Sequence, residues 1–448
     1  MKLSYIALFR RNMSAVLTLL CLTMLSAEGF ASKIKFDGYI IKLKKGHDFM
    51  AVNQFPGIGK VTRLGVSFGH YYHADTANSL IPVNIEAIRK NPNVEYIEPN
   101  YLYEDLGEDK VVNQSSKNNF SDIVQDPTFG SQWALQNTGH NTWIKDSPPG
   151  LDVNAIKGWE MSQGGSEVII AIVDSGIDYN HPDLQKNLWI NEAEKNGLPG
   201  FDDDGNGFVD DINGYDFANN DGDPMDGLGH GTRVAGIIGA THNTEGIRGV
   251  MPHVKMIALK FLADDGKGDT VNAVRAIDYA ISSGAQIINN SWGGGHYSQT
   301  LFDAFMAAAA RNIIITAAAG NSKNDNDLNP SYPASYKVPN IITVASSNAL
   351  DEKASFSSFG KNVVNVYAPG VFIVSTDLNS NYQWNSGTSL STPIVTGALG
   401  LLLSMEPGIS FTEAKKRIMN TSIKNPEFLK YAQAGRIDIY RMLMNRWN

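Results

Sequence analysis

The sequence predicts an α/β domain with a mostly parallel central sheet, preceded by a small α+β domain. Short runs rich in β-branched residues recur beyond residue 126, at 168–173, 255–259, 287–288, 313–315, 341–344 and 363–366. Several of these runs lack polar residues, as strands buried on both faces do. Amphipathic stretches at 269–282 and 299–311 lie between them. Strands that alternate with helices form parallel sheets, in which functional residues collect at the carboxyl ends of the strands.

The residues before 126 fall into three segments. Residues 1–31 place Lys2, Arg10 and Arg11 before an apolar run at 15–25, which is typical of a signal peptide. An uncleaved membrane anchor is the alternative, but the run is shorter than the roughly 20 residues that span a bilayer. Residues 32–103 combine a strand at 39–43, a helical stretch at 82–90 and an extended tail at 93–103. Residues 104–125 are polar and aperiodic, so we expect an exposed linker that can be cut, followed by the main domain at 126–448.

Composition and charge narrow the class of protein. The chain has 448 residues, of which 42% are hydrophobic, as in globular proteins. Its one cysteine, Cys21, lies in the signal segment, so the mature chain must be held by its core or by metal ions. Net charges of +2 for residues 1–30 and +3 for 31–100 leave −14 for the rest of a chain whose total is −9. Such an acidic body argues against a nucleic-acid partner and favours bound cations.

No later apolar stretch is long enough to cross a membrane. We therefore expect a secreted monomer without a stable membrane anchor, extracellular or, in a Gram-negative source, periplasmic.

Three polar residues stand where strands end or helices begin. Asp174 ends the run at 168–173, and His230 opens a helix of small residues. Ser389 lies where the loop 385–388 becomes an apolar helix, whose positive N-terminus favours negative charge beside the serine. Singly, they have ordinary explanations as a turn aspartate, a core histidine and an N-cap serine. Together they give the order Asp, His, Ser, which is one of the orders found in catalytic triads.

Three segments carry a resemblance to a known family. They read V-D-S-G-I-D at 173–178, H-G-T-R-V-A-G at 230–236 and G-T-S-L-S-T-P at 387–393, and they resemble the subtilisin-like serine proteases (subtilases, peptidase family S8) over about residues 126–443. The resemblance implies a three-layer domain and a serine endopeptidase acting on polypeptides. It makes Asp174, His230 and Ser389 the catalytic triad. It also assigns Asn321, in A-A-A-G-N at 317–321, to the oxyanion hole.

Residues 32–103 resemble the inhibitory propeptide of that family (inhibitor I9 type), chiefly through N-P-N-V-E-Y-I-E-P-N at 91–100. The resemblance implies a self-processing precursor whose propeptide serves as intramolecular inhibitor and folding aid.

The segment S-W-G-G-G at 291–295 resembles the family's substrate-binding strand, and glycines there let a peptide pair with the enzyme backbone. Small walls favour a large apolar or aromatic side chain before the cut, with Ser331 shortening the pocket and the 332–333 peptide bond cis. The expected substrate-binding residues are Ser291, Trp292, Gly293, Gly294, Ala318, Gly320 and Ser331.

Structural calcium is expected at two places. The resemblance implies one site from Asp126, Asp183 and Asn243. A second is suggested by oxygen side chains at alternate positions of the loop 202–211, as at the start of an EF-hand, although no glutamate closes the loop. Its candidate ligands are Asp202, Asp204, Asn206, Asp210 and Asp211. A solvated acidic turn is the alternative.

Arg233 departs from the family pattern, in which many relatives have a second histidine. If it is buried it needs an acidic partner, which the sequence does not identify. Two other readings of the whole chain remain. One is a binding protein that has kept the fold without activity, and the other is a different α/β hydrolase, such as a lipase. The latter class would place its serine in G-x-S-x-G and run in the order Ser, Asp, His.

Overall fold

A computed structural model of the chain describes residues 36–47, 55–76, 81–110, 128–141, 144–145, 147–294 and 296–445. The chain divides into Met1–Phe36 and Asp37–Asn448. The predicted signal peptide therefore lies outside the described residues. Apart from Phe36, the residues described below belong to the second unit.

The described strands, in chain order, are β1 (Phe36–Leu43), β2 (Val61–Arg63), β3 (Tyr71–Ala74), β4 (Val94–Asp105), β5 (Asp109–Lys110), β6 (His140–Asn141), β7 (Ile144–Lys145), β8 (Gly164–Asp174), β9 (Gly214–Asp216), β10 (His253–Lys260), β11 (Lys267–Asp269), β12 (Ile287–Asn290), β13 (Trp292–Gly293), β14 (Ile314–Ala318), β15 (Ile341–Ser347), β16 (Val366–Pro369), β17 (Ile373–Asp377) and β18 (Asn381–Ser386). The described α-helices are α1 (Ile85–Arg89), α2 (Ala155–Trp159), α3 (Glu192–Asn196), α4 (His230–Gly239), α5 (Thr270–Ser282), α6 (Gln299–Ala310), α7 (Thr388–Met405), α8 (Phe411–Asn420) and α9 (Ile439–Leu443).

The centre of the fold is a seven-stranded sheet in the order β16-β15-β14-β12-β8-β10-β9. Every neighbouring pair in it is parallel. Side chains alternate across such a sheet, so each strand feeds two cores. In β8, Ile170 and Ile172 belong to a core with α4 and α7, whereas Ala171 and Val173 belong to a core with α5 and α6. The predicted three-layer α/β fold is confirmed.

Most of the predicted runs lie in strands, but the prediction of a strand at 363–366 is wrong for most of that run. Only Val366 belongs to β16, and Val363 lies in a turn. The reason is Asp327, whose carboxylate accepts the backbone N–H groups of Asn362 and Val363. A side chain distant in the sequence thus satisfies the backbone that a strand would otherwise have used.

Helix α7 is long and apolar enough to cross a membrane, but 89% of it is buried inside the structure. It packs in the core that also contains α4 and the side chains of Ile170 and Ile172.

The N-terminal segment forms a second sheet in the order β11-β4-β1-β3-β2, and β13 also pairs with β4. Strand β4 therefore neighbours β1 of its own segment, and its last residues pair with β11 and β13 of the main domain. The residues 104 and 105, placed in the linker by sequence, continue β4, and β5 pairs with β18. The chain consequently runs in extended form from 94 to 105, turns at Gly107 and pairs again at 109–110, passing across the carboxyl end of the central sheet.

Candidate active site

Asp174 and His230 meet at the carboxyl end of the central sheet. Asp174 is the last residue of β8, and His230 is the first residue of α4. His230 Nδ1 lies 2.7 Å from Asp174 Oδ1, and both side chains are buried. The same oxygen also accepts the backbone N–H of Ser175 at 2.8 Å. These contacts fix the orientation of the imidazole and direct its Nε2 away from the aspartate.

Ser389 is the second residue of α7 and is fully buried. Gly387 caps the helix, and a Cβ at that position would lie 2.8 Å from Ser389 Oγ. Glycine therefore leaves the space that the serine side chain needs. The carbonyl of Ser389 accepts a hydrogen bond from Ser291 Oγ at 2.9 Å, which ties the serine to the end of β12.

Asn321 follows β14 and presents its amide to the same place. Its Oδ1 accepts the Thr388 backbone N–H and hydroxyl, both at 2.9 Å. The amide nitrogen is thereby aimed at the extended segment, with Nδ2 lying 2.8 Å from the Gly107 carbonyl oxygen and 3.3 Å from that of Leu106. The asparagine is in position to donate to a carbonyl oxygen of a bound chain.

Strand β4 occupies the groove in front of this site as a peptide would. Gly268 is opposite Tyr103, and Gly293 is opposite Glu104. The Tyr103 ring is buried against Trp292, with ring centroids 5.2 Å apart. A Cβ at Gly294 would come within 2.7 Å of the Tyr103 ring. The glycines are required because the paired chain lies so close.

The side chain of Leu106 lies beside Gly293, one of the residues predicted to bind substrate. A Cβ at Gly293 would lie 2.9 Å from Leu106 Cδ2 and 3.6 Å from Ser331 Oγ. Ser331 donates to the Gly294 carbonyl at 3.3 Å, and the Tyr332–Pro333 peptide bond is cis. Ala318 is buried at the end of β14, while the residue 295 lies outside the described part of the chain. Gly320 N donates to Thr388 Oγ1 at 3.1 Å.

Glu108 places a carboxylate between the serine and the histidine. Its Oε1 accepts the Ser389 hydroxyl at 3.2 Å and lies 3.4 Å from His230 Nε2. Its Oε2 accepts Arg233 Nε at 2.9 Å, and Arg233 Nη1 donates to Asp377 at 2.8 Å. These are the acidic partners of Arg233 that sequence reasoning could not identify. Burial opposes the charged imidazole, but Asp174 and then Glu108 outweigh it and raise the pKa of His230 to about 9.

Elsewhere the N-terminal segment is fixed to α5 and α6. The carboxylate of Glu98 accepts the Gln299 and Thr300 backbone N–H groups at 2.7 and 2.9 Å, at the start of α6. Lys42 is 2.9 Å from Asp303 on the same helix. A carboxylate on the first turn of a helix is favoured by the free N–H groups and the helix dipole.

Two of the three residues expected to form the first calcium site come together. Asn243 Nδ2 donates to Asp183 Oδ1 at 2.9 Å, and the Ile247 N–H and Tyr382 hydroxyl donate to its Oδ2. Asp183 is fully buried, which raises the pKa of its carboxyl. The third residue, Asp126, lies outside the described residues.

The loop 202–211 forms an acidic cluster that differs from the expected one. Carboxylate oxygens of Glu194, Asp204 and Asp211 lie within 4.8 Å of one another. Asn206 Nδ2 donates to Asp204 and Asp211 and so lies beside the cluster. Asp202 does not belong to the cluster, because its carboxylate faces its own loop and accepts the backbone N–H groups at 206 and 207.

Asp210 is also turned away from the cluster, since its carboxylate accepts Gly200 N–H at 2.8 Å. Sequence reasoning missed Glu194, which lies on α3, outside the loop. Glu194 and Asp211 are buried and Asp204 is exposed, and their three carboxylates are the hard oxygen donors that calcium prefers.

A buried Asp–His pair lies near a serine at a helix N-terminus, and the histidine and the serine both face Glu108 Oε1. This arrangement at the end of a parallel α/β sheet is that of a serine hydrolase. Comparisons with known proteins narrow the class. Residues 165–437 match the model of the Subtilase family. The chain is 35% identical over 358 residues to the thermophilic serine proteinase of Bacillus sp. (strain AK1), covering 80% of this chain and 74% of that one. It is 37% identical over 290 residues to thermitase of Thermoactinomyces vulgaris, covering 64% of this chain and 92% of the relative.

Subtilisin-like protease 1 of Plasmodium berghei is also similar, with 36% identity over 296 residues, but the match spans only 49% of that protein. The chain belongs to the subtilase family and is a subtilisin-like serine endopeptidase.

Proposed function

We propose that the chain is the precursor of a secreted serine endopeptidase that cuts its own chain between Leu106 and Gly107. The observation that carries the proposal is the path of the segment 94–110, whose carbonyl groups at 106 and 107 lie within 3.3 Å of Asn321 Nδ2. In this proposal residues 32–106 form the propeptide, which acts as an intramolecular inhibitor and folding aid. Polypeptides in extended form are then the substrates of the mature enzyme.

The bond after Leu106 is favoured over the bond after Gly107 for two reasons. The Leu106 side chain lies beside Gly293, near Ser331, where the substrate side chain before the cut is expected to bind, whereas Gly107 has no side chain to place there. Gly107 also has a φ of +62°, so the chain leaves the extended conformation at this residue. Antiparallel pairing with the groove ends just before it, where Asp105 N–H donates to the Gly266 carbonyl at 2.9 Å.

The chemistry uses Asp174, His230 and Ser389 as a catalytic triad. His230 Nε2 removes the proton of Ser389 as Oγ attacks the carbonyl carbon, and Asp174 stabilises the imidazolium. Asn321 Nδ2 and the backbone N–H of Ser389 would stabilise the oxyanion. His230 then gives its proton to the leaving amine, and water hydrolyses the acyl-enzyme with His230 as base again.

Structural calcium is part of the proposal. Glu194, Asp204 and Asp211 would hold one ion, and the region of Asp183 and Asn243 a second. A bound cation supplies positive charge to these carboxylates and so stabilises the folded loops in a chain without disulfides. The buried position of Asp211 and Asp183 supports this assignment.

The full-length Ser389→Ala variant tests the proposed function. Wild-type precursor refolded from denaturant should yield a fragment that begins with Gly107, identified by its mass, while the variant stays intact. A fragment beginning with Glu108 would place the cut one bond later. A Ser389→Ala chain that is cut in the absence of other proteases would refute self-processing.

A further inference from the structure

Glu108 occupies a position that a reactive complex must leave free. A serine is activated when its hydroxyl donates to a neutral histidine. Here the Ser389 hydroxyl donates to Glu108 Oε1 instead, and the same oxygen lies 3.4 Å from His230 Nε2. Among the residues that the structure describes, His230 Nε2 has no hydrogen-bond partner. The carboxylate thus takes the place of the imidazole as acceptor for the serine.

The guanidinium of Arg233 holds the Glu108 carboxylate in this position. Arg233 lies three residues after His230 on α4, and its side chain is only 7% exposed. Its Nε donates to Glu108 and its Nη1 to Asp377, whose side chain is 23% exposed at the end of β17. A buried guanidinium requires compensating acceptors, and the side chain of Glu108, 4% exposed, provides the more buried one.

We propose that Arg233 is a carboxylate-binding residue beside the catalytic centre, and that Glu108, bound to it, delays cutting of the precursor by separating Ser389 from His230. The inference rests on the proposed function, because it takes Ser389 as nucleophile and His230 as base. The ligand of this site is the side-chain carboxylate of a residue that follows the cut bond.

Two physical effects make the bound carboxylate inhibitory. A carboxylate is a far weaker base than an imidazole. It therefore does not remove the serine proton at neutral pH. Its negative charge also favours the imidazolium form of His230, which cannot act as a base.

The test compares three full-length precursors refolded from denaturant: wild type, Glu108→Gln and the control Glu104→Gln. Both variants lose one negative charge from the same segment, but Glu104 is exposed, and its backbone pairs with β11 and β13. Glutamine keeps the shape of Glu108 and loses the charge that makes its hydrogen bonds about twice as strong as neutral ones. Glu108→Gln should be cut about tenfold faster than the other two chains. Equal rates for all three would overturn the inference.

The same variants combined with Ser389→Ala separate this inference from the proposed function. All three combined chains should remain uncut, and NMR titration should give a lower pKa for His230 in the chain with Glu108→Gln than in the other two. If the combined chains are cut, self-processing fails, and the histidine titration then decides the inference alone. An unchanged pKa of His230 in the Glu108→Gln chain would overturn it.

Discussion

Removal of the Glu98 carboxylate should strongly weaken inhibition by the propeptide. Glu98 Oε1 accepts Ser298 Oγ at 2.8 Å, Thr300 N–H at 2.9 Å and Thr300 Oγ1 at 2.5 Å, while Oε2 accepts Gln299 N–H at 2.7 Å. All four donors belong to the start of α6. Glu98 is half-buried, and truncating one partner of a buried, hydrogen-bonded charge at an interface costs about 2–5 kcal/mol, so we expect a value in the lower half of that range.

We take about 3 kcal/mol for Glu98→Ala, which corresponds to a roughly 150-fold higher inhibition constant. The assay adds a propeptide fragment of residues 32–106 to the mature enzyme and follows hydrolysis of a peptide. Glu95→Ala is the matched control, because the Glu95 side chain is 48% exposed and pairs with Lys42 at 3.1 Å. An exposed ion pair contributes about 0–1 kcal/mol, so this control should change inhibition less than about fivefold. A Glu98→Ala fragment that inhibits as well as its control would refute the capping argument.

Four further outcomes are expected. Asn321→Ala should lower kcat by about 10²- to 10³-fold with little change in KM, the loss known for this donor in a subtilisin, because the amide acts on charge present only in the transition state. Self-processing of the wild-type precursor should become faster as the pH rises toward about 9, because only neutral His230 accepts the serine proton, and its pKa, which burial lowers, is raised to about 9 by Asp174 and Glu108. Gly293→Ala should raise KM for peptides with leucine before the cut, since its methyl group would meet the leucine side chain. Asp204→Ala should lower the calcium stoichiometry by one and lower Tm in calcium but not in chelator.

Each of these outcomes has a contrary result that can be read from the same experiment. A KM effect with unchanged kcat would make Asn321 a ground-state binding residue. A rate of processing that falls between pH 7 and pH 9 would contradict neutral His230 as the base. Unchanged KM in Gly293→Ala would place the leucine pocket elsewhere, and unchanged stoichiometry in Asp204→Ala would remove that calcium site.

The parts of the molecule that the sequence predicted are those encoded locally. Apolar, β-branched runs predict buried parallel strands because such a strand is buried on both faces of the sheet, so that its side chains are mostly apolar. The residues Asp174, His230 and Ser389 are each surrounded by their own short motif, so they could be found without knowing the fold. Asn321 was found in the same way.

What the sequence could not predict depends on contacts between distant segments. Glu194 lies on a helix before the acidic loop and faces Asp204 and Asp211 only after folding. Arg233 meets Glu108 because the chain from 94 to 110 crosses the active site, 125 residues away in sequence. Glu98 likewise reaches the start of α6, 200 residues away in sequence, where the free N–H groups and the helix dipole favour a carboxylate.

The position of β4 between β11 and β13 has a consequence for the choice of substrates. Neighbouring strands lie about 4.8 Å apart, so removal of β4 leaves two facing strand edges roughly 9.6 Å apart, with room for one chain. An α-helix, about 10 Å wide with its side chains, does not fit there and has no free backbone groups to offer. A hairpin would need the width of two strands. We expect the mature enzyme to cut unfolded proteins and mobile loops, so that local unfolding of a target protein, as well as its sequence, decides where it is cut.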